Sequence, residues 1–129
     1  MDKEIRIILV DDEPDFIEVM TLWFKSRGYS VASVFNGREA LKVIKQDAPD
    51  VVFLDIILPD IDGPAVLKKI RDFNKTLPVI LMSAYVRDTR IEKKINFYGT
   101  SGIFYKGEDF SKALALLKSA LEANNKSPH

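Results

Sequence analysis

Asp11, Asp12 and Asp55 supply three carboxylates, Ser83 a hydroxyl and Lys106 an ammonium. Carboxylates can hold a divalent cation, and a hydroxyl and an ammonium can hydrogen-bond phosphoryl oxygens. These residues are far apart in the chain, yet each stands at the end of a short apolar run. Ile7-Ile8-Leu9-Val10 leads into Asp11-Asp12, Val51-Val52-Phe53-Leu54 into Asp55, Val79-Ile80-Leu81-Met82 into Ser83, and Ile103-Phe104-Tyr105 into Lys106. If the runs are strands of one parallel sheet, all these residues emerge at its carboxyl edge, where open α/β sheets bind ligands.

The rest of the chain supplies the elements that such a sheet needs. Ile5 to Val10 is nearly continuous in apolar residues, as a strand covered on both faces requires. Pro14 suits a first helical turn, and Phe16, Met20, Trp23 and Phe24 recur at helical spacing up to a stop at Gly28. Ser30 to Val34 is a more polar strand, suited to a sheet edge, and Asn36-Gly37 turns the chain into a helix carrying Ala40, Leu41 and Ile44. Pro59 and Asp62-Gly63 punctuate a loop before a helix carrying Val66, Leu67 and Ile70. Pro78 opens the strand Val79 to Met82, and a helix with a thin apolar stripe is expected over Arg87 to Phe97. The strand Gly102 to Tyr105 precedes a last helix striped by Phe110, Ala113, Leu114, Leu117 and Leu121. Strands alternating with helices imply an α/β fold, with a parallel sheet and right-handed crossovers that put helices on both faces.

Composition narrows the function. At 129 residues the chain fits one domain with a real core. Lys+Arg 19 against Asp+Glu 19 leaves no global basic footprint for nucleic acid. The absence of cysteine excludes disulfides, thiolate metal sites and cysteine nucleophiles, and suits a reducing cytoplasm. The single histidine is His129, the last residue, which argues against histidine chemistry on this chain. No apolar run approaches the ~20 residues of a membrane span, and the charged start Met1-Asp2-Lys3-Glu4 does not read as a signal peptide. Residues 1–123 are expected to form the domain, and 124–129 a polar tail or the start of a linker.

From about Ile5 to about Ala123 the chain resembles a response-regulator receiver domain of two-component signalling. The resemblance rests on Asp11-Asp12, on Asp55-Ile56-Ile57-Leu58-Pro59 followed by Asp62-Gly63, on Ser83-Ala84 and on Lys106. Singly, each piece has an ordinary explanation as a helix cap, a turn or a solvated charge. Together and in order they are specific. The resemblance implies a doubly wound, flavodoxin-like sheet of five strands in the order 2-1-3-4-5 with five helices on two faces. It implies that Asp55 is the phosphoacceptor, with Ser83 and Lys106 on the phosphoryl oxygens. Mg²⁺ would be held by Asp11, Asp12, Asp55 and the backbone carbonyl of Ile57. The phosphoryl group would come from a histidine kinase or a histidine phosphotransfer protein. The changed face, made by the last two helices and the last strand, would meet a downstream effector protein or domain. Direct nucleic-acid or membrane binding is not expected. A homodimer formed on phosphorylation is compatible with the family, with no feature of this sequence behind it. The domain would be a switch that assists its own phosphorylation rather than an enzyme with a separate substrate.

The sequence departs from the family at three places. Gly107 stands where a proline usually follows the lysine across a cis peptide. A cis bond without proline costs about 3–4 kcal/mol, so a trans Lys106–Gly107 bond is expected. Ile103 occupies the position of an aromatic that rotates on activation, which leaves it to fill space. Ile57 and Tyr85 flank the path of a hydrolytic water, and an Ile57 side chain that cannot orient water predicts a long-lived phosphorylated form. Gly107 and Ile103 also favour an alternative, a phosphate-independent interaction module of the same fold; the acidic triad and Lys106 oppose it. A phosphohydrolase of the haloacid dehalogenase type would need Asp-x-Asp after the first strand, which Asp11-Asp12-Glu13-Pro14 does not provide.

Overall fold

Side chains alternate across a strand, so a strand that is apolar throughout must be covered on both faces. A computed structural model, which describes residues 4–84, 93 and 98–124, has this arrangement. The strands are β1 (Arg6–Val10), β2 (Ser30–Val34), β3 (Val51–Asp55), β4 (Val79–Ser83) and β5 (Gly102–Tyr105). The helices among the described residues are α1 (Pro14–Lys25), α2 (Gly37–Gln46), α3 (Gly63–Phe73) and α4 (Phe110–Ala123). All strands pair in parallel in the order β2-β1-β3-β4-β5, the order the resemblance implied. The helix expected over Arg87 to Phe97, with Arg87, Arg90 and Lys94, lies outside the described residues, as do Tyr85 and the tail beyond Asn124. Lys93 alone of that stretch is described, as helical and exposed.

The alternation divides the core in two. Ile8, Val10, Val52, Leu54, Val79 and Leu81 face α2 and α3, packing on Ala40, Ile44, Val66, Leu67 and Ile70. Ile7, Leu9, Val51, Phe53, Ile80 and Met82 face α1 and α4, packing on Met20, Phe24, Ala113, Leu117 and Leu121. The central strand β3 is buried at every residue, whereas β2, at one edge, is only partly covered, as its polar residues require. Gly28 takes φ +90° just after α1, a conformation that favours glycine, and so stops the helix where expected.

The two central strands that carry site residues run one residue further than the sequence reading placed them. Asp55 closes β3 opposite Met82, and Ser83 closes β4 opposite Tyr105. The cause is continued pairing: the Ile56 amide donates to the Met82 carbonyl at 3.0 Å, and the Lys106 amide to the Ser83 carbonyl at 2.8 Å. Asp55 and Ser83 therefore inherit the rigidity of the sheet, and the Lys106 backbone is pinned to the end of β4.

Candidate functional site

β1 delivers Asp11 at the carboxyl edge, fully buried despite its charge. Its Oδ1 accepts the Glu13 amide at 2.9 Å, which folds the chain back for α1. Asp12, the next residue, is exposed. β3 delivers Asp55, 4% exposed, whose Oδ1 accepts the Ile57 amide at 3.2 Å. Asp11, Asp12 and Asp55 each offer a carboxylate oxygen within 4.8 Å of the others.

Lys106 crosses from β5 into this cluster. Its Nζ lies 3.0 Å from Asp55 Oδ2, 2.8 Å from Asp11 Oδ2 and 2.7 Å from Glu13 Oε1. It also lies 4.8 Å from the centre of the Phe16 ring, within cation–π range. The Lys106–Gly107 bond is trans, as expected, and the lysine still reaches the acidic residues. What fixes the turn is a reciprocal pair of hydrogen bonds: the Tyr105 amide donates to Glu108 Oε1 at 3.2 Å and the Glu108 amide to the Tyr105 carbonyl at 2.9 Å. Lys112 holds the other Glu108 oxygen at 2.8 Å.

The charges oppose each other strongly. Burial, reinforced by the Asp11 carboxylate, pushes Asp55 up to about 6, although its hydrogen bond from Lys106 pulls the other way. Burial alone would lower Lys106, but contacts with Asp11, Glu13 and Asp55 outweigh it and hold the ammonium above its ordinary range. The lysine therefore stays charged at neutral pH, while Asp55 keeps its proton to a higher pH than an ordinary carboxyl does.

The loop after Asp55 is tightly held. Asp62 caps α3 by accepting the Ala65 amide at 2.8 Å, and the Gly63 amide donates to the Ile56 carbonyl at 2.7 Å. A Cβ on Gly63 would strike the Asp55 carbonyl oxygen and lie 2.7 Å from Ile56 Cα. Asp60 reaches over to the start of α2, accepting the amides of Gly37 at 2.8 Å and Arg38 at 2.9 Å. The Asp62-Gly63 turn thus also sets how closely α3 approaches the backbone of the acidic site.

The remaining expected residues fall around this centre. Ser83 stands at the end of β4, beside the strand that carries Asp55. Ile57 exposes 58% of its surface, so its side chain faces solvent instead of filling the core. Ile103 is partly buried against the α2/α3 side of the core, in a space-filling place. Tyr85 lies outside the described residues.

The acidic residues fit a hard divalent cation. Asp11 Oδ2 is buried, and although Lys106 Nζ is close, no directed hydrogen bond reaches that oxygen. Three converging oxygen donors, one of them incompletely satisfied, match the preference of Mg²⁺ for a few carboxylates with retained waters. One residue of the centre escaped the sequence reading: Glu13. Its only sequence signal is its place third in the acidic run Asp11-Asp12-Glu13, and nothing local reveals that its side chain turns towards Lys106.

Comparison with known proteins points to one family. A family model described as response regulator receiver domain matches residues 7–118. TcrX of Mycobacterium tuberculosis is 34% identical over 109 residues, covering 84% of this chain and 45% of TcrX. The transcriptional regulatory protein ZraR of Escherichia coli K12 is 32% identical over 119 residues, covering 91% of this chain and 26% of ZraR. The chain thus spans less than half of TcrX and about a quarter of ZraR. A CheY-like response regulator receiver domain protein of Methanospirillum hungatei superposes with a TM-score of 0.89 at 21% identity, over 95% of this chain and 98% of that one, a likeness of fold. Among the described residues, no helix is long and apolar enough to cross a membrane.

Proposed function

Because the chain belongs to the response regulator receiver family, we propose that it is a phosphorylation-dependent switch whose phosphoacceptor is Asp55. The observation that carries this reading is the approach of Lys106 Nζ to both Asp11 and Asp55 across three strands, achieved without the usual proline. An Asp55 oxygen attacks phosphorus, the bond from phosphorus to the donor nitrogen breaks, and an acyl phosphate forms. The donor is a histidine kinase or a histidine phosphotransfer protein.

The residues of this chain divide the work. Asp55 is the nucleophile, fixed by its place at the end of β3 and by the Ile57 amide. Lys106 supplies a permanent positive charge for a phosphoryl oxygen, and the Ser83 hydroxyl donates to another. Asp11, Asp12, Asp55 and the Ile57 carbonyl would hold Mg²⁺, which when bound offsets the repulsion between the carboxylate and the incoming phosphoryl oxygens. The exposed Ile57 side chain offers no group to orient a hydrolytic water, which favours a long-lived phosphorylated form. The output face comprises β5, α4 and the segment before β5, and meets an effector protein or domain.

Intact mass after incubation with a small phosphodonor and Mg²⁺ tests this reading. A single phosphoryl adduct, lost in Asp55→Asn and in chelator, is expected. Absence of an adduct with both a small phosphodonor and a phosphorylated histidine donor protein would leave the phosphate-independent module as the better reading.

A further inference from the structure

We infer that Glu13 is a stand-in for the phosphoryl group: its carboxylate holds Lys106 Nζ in the resting protein and yields it when Asp55 is modified. The inference rests on Asp55 as the acceptor and assigns a competing positioning residue to that site. An ammonium has three N–H donors. Here hydrogen bonds run to Glu13 at 2.7 Å and Asp55 at 3.0 Å, and Asp11 lies 2.8 Å away. The Phe16 ring covers a further side at 4.8 Å. Three carboxylate oxygens within 3.0 Å and the ring crowd the ammonium, so a phosphoryl oxygen that approaches it competes with one of these carboxylates.

Exposure decides which one. The side chains of Asp11 and Asp55 are 0% and 6% exposed, whereas that of Glu13 is 59% exposed. A buried carboxylate that loses its cation pays a large desolvation penalty, while an exposed one is rehydrated at once. Glu13 is also free of other duties. It is the N-cap of α1, yet its side chain accepts no hydrogen bond from the helix. Pro14 disfavours helical geometry in the residue before it, and Glu13 takes φ −98° and ψ 101°. A residue at a capping position whose acid is directed at Lys106 instead of the helix start is arranged for exchange.

Trifluoroberyllate, which mimics a phosphoryl group on a carboxylate, tests this with Mg²⁺ and the whole chain. Its apparent affinity should rise about two- to fivefold in Glu13→Gln and in Glu13→Ala, the effect of removing one partly exposed ion pair. In the free protein, the Lys106 ¹⁵Nζ signal should move and its protons exchange faster with water in both variants, a change that a merely structural role for Glu13 would not produce. Equal affinities in wild type and variants, or an unmoved Nζ signal, would overturn the inference and leave Asp55 as the acceptor. No uptake by wild type together with no phosphoryl adduct would overturn the acceptor reading itself, and with it this inference.

Discussion

Thr21 Oγ1 and Asp11 Oδ2 are the two buried side-chain oxygens that lack a hydrogen-bond partner among the described residues. For Asp11 the acidic site supplies a reason, since a cation is the expected company of that oxygen. For Thr21 no such reason exists: it lies in α1 next to the buried Met20. A buried hydroxyl without a partner costs roughly 1–3 kcal/mol relative to an apolar group of the same shape. Valine is nearly isosteric, and helix propensity differs little between the two. Thr21→Val should therefore stabilise the protein by about 1 kcal/mol, read as a higher urea midpoint with an unchanged slope. Destabilisation would mean that the hydroxyl is satisfied in solution, by water for example.

At the scale of elements, two glycines at loops of the site have opposite meanings. Gly63 opens α3 against the backbone that follows Asp55, and a Cβ there meets backbone atoms that cannot move aside cheaply. Gly63→Ala should cost about 1–3 kcal/mol and slow formation of the proposed adduct on Asp55, because Asp55 and the start of α3 share one wall. At Gly107 a Cβ has nothing within 4 Å. Gly107→Ala should be tolerated, with a gain of up to about 1 kcal/mol from a less flexible unfolded chain and phosphorylation unimpaired. Thermal melts and adduct formation by mass check both variants, and a damaged Gly107→Ala would show that this loop needs glycine for its shape. The contrast also marks the limit of what was legible. Strand ends, apolar faces and caps depend on short periodicities, so Asp11, Asp55, Ser83 and Lys106 could be placed at one edge from the chain alone. Gly63 read there only as a turn, and the absent proline after Lys106 read as a departure. What holds Lys106 instead, Glu13 at a separation of 93 residues and Phe16 on the same helix turn, depends on side-chain directions that no local pattern encodes.

Across the whole molecule, a well-packed two-faced core supports a carboxyl edge where burial and the Asp11 charge disfavour the ionised form of Asp55 despite Lys106. Asp55 holds its proton more tightly in the folded protein than its ordinary value of 3.8 allows, up to about 6, because burial and Asp11 disfavour its charge. Between those two values the folded state binds more protons than the unfolded one, so this group's contribution to stability falls as pH rises and is lost above about 6. The displacement corresponds to about 2–3 kcal/mol at pH 7. Lys106, also raised, contributes stability throughout this window, since its share is lost only as pH climbs beyond its own folded value. Asp60, Glu108 and Asp109 are held below their ordinary values by hydrogen bonds, so their share is present above the usual carboxylate range and lost in acid. They would mask the Asp55 effect in wild type alone, and the difference between wild type and Asp55→Asn isolates it. In metal-free buffer that difference should favour Asp55→Asn by about 2–3 kcal/mol at pH 7, since the displacement already sets the Lys106 attraction against burial and Asp11, and should shrink towards pH 4. Mg²⁺ should raise the melting temperature of wild type more at pH 7 than at pH 5, where a proton competes for Asp55, and should do little for Asp55→Asn. Thermal denaturation of both proteins from pH 4 to 8, with and without Mg²⁺, decides it. A wild type whose Mg²⁺ response is the same at pH 5 and pH 7 would place the cation away from Asp55.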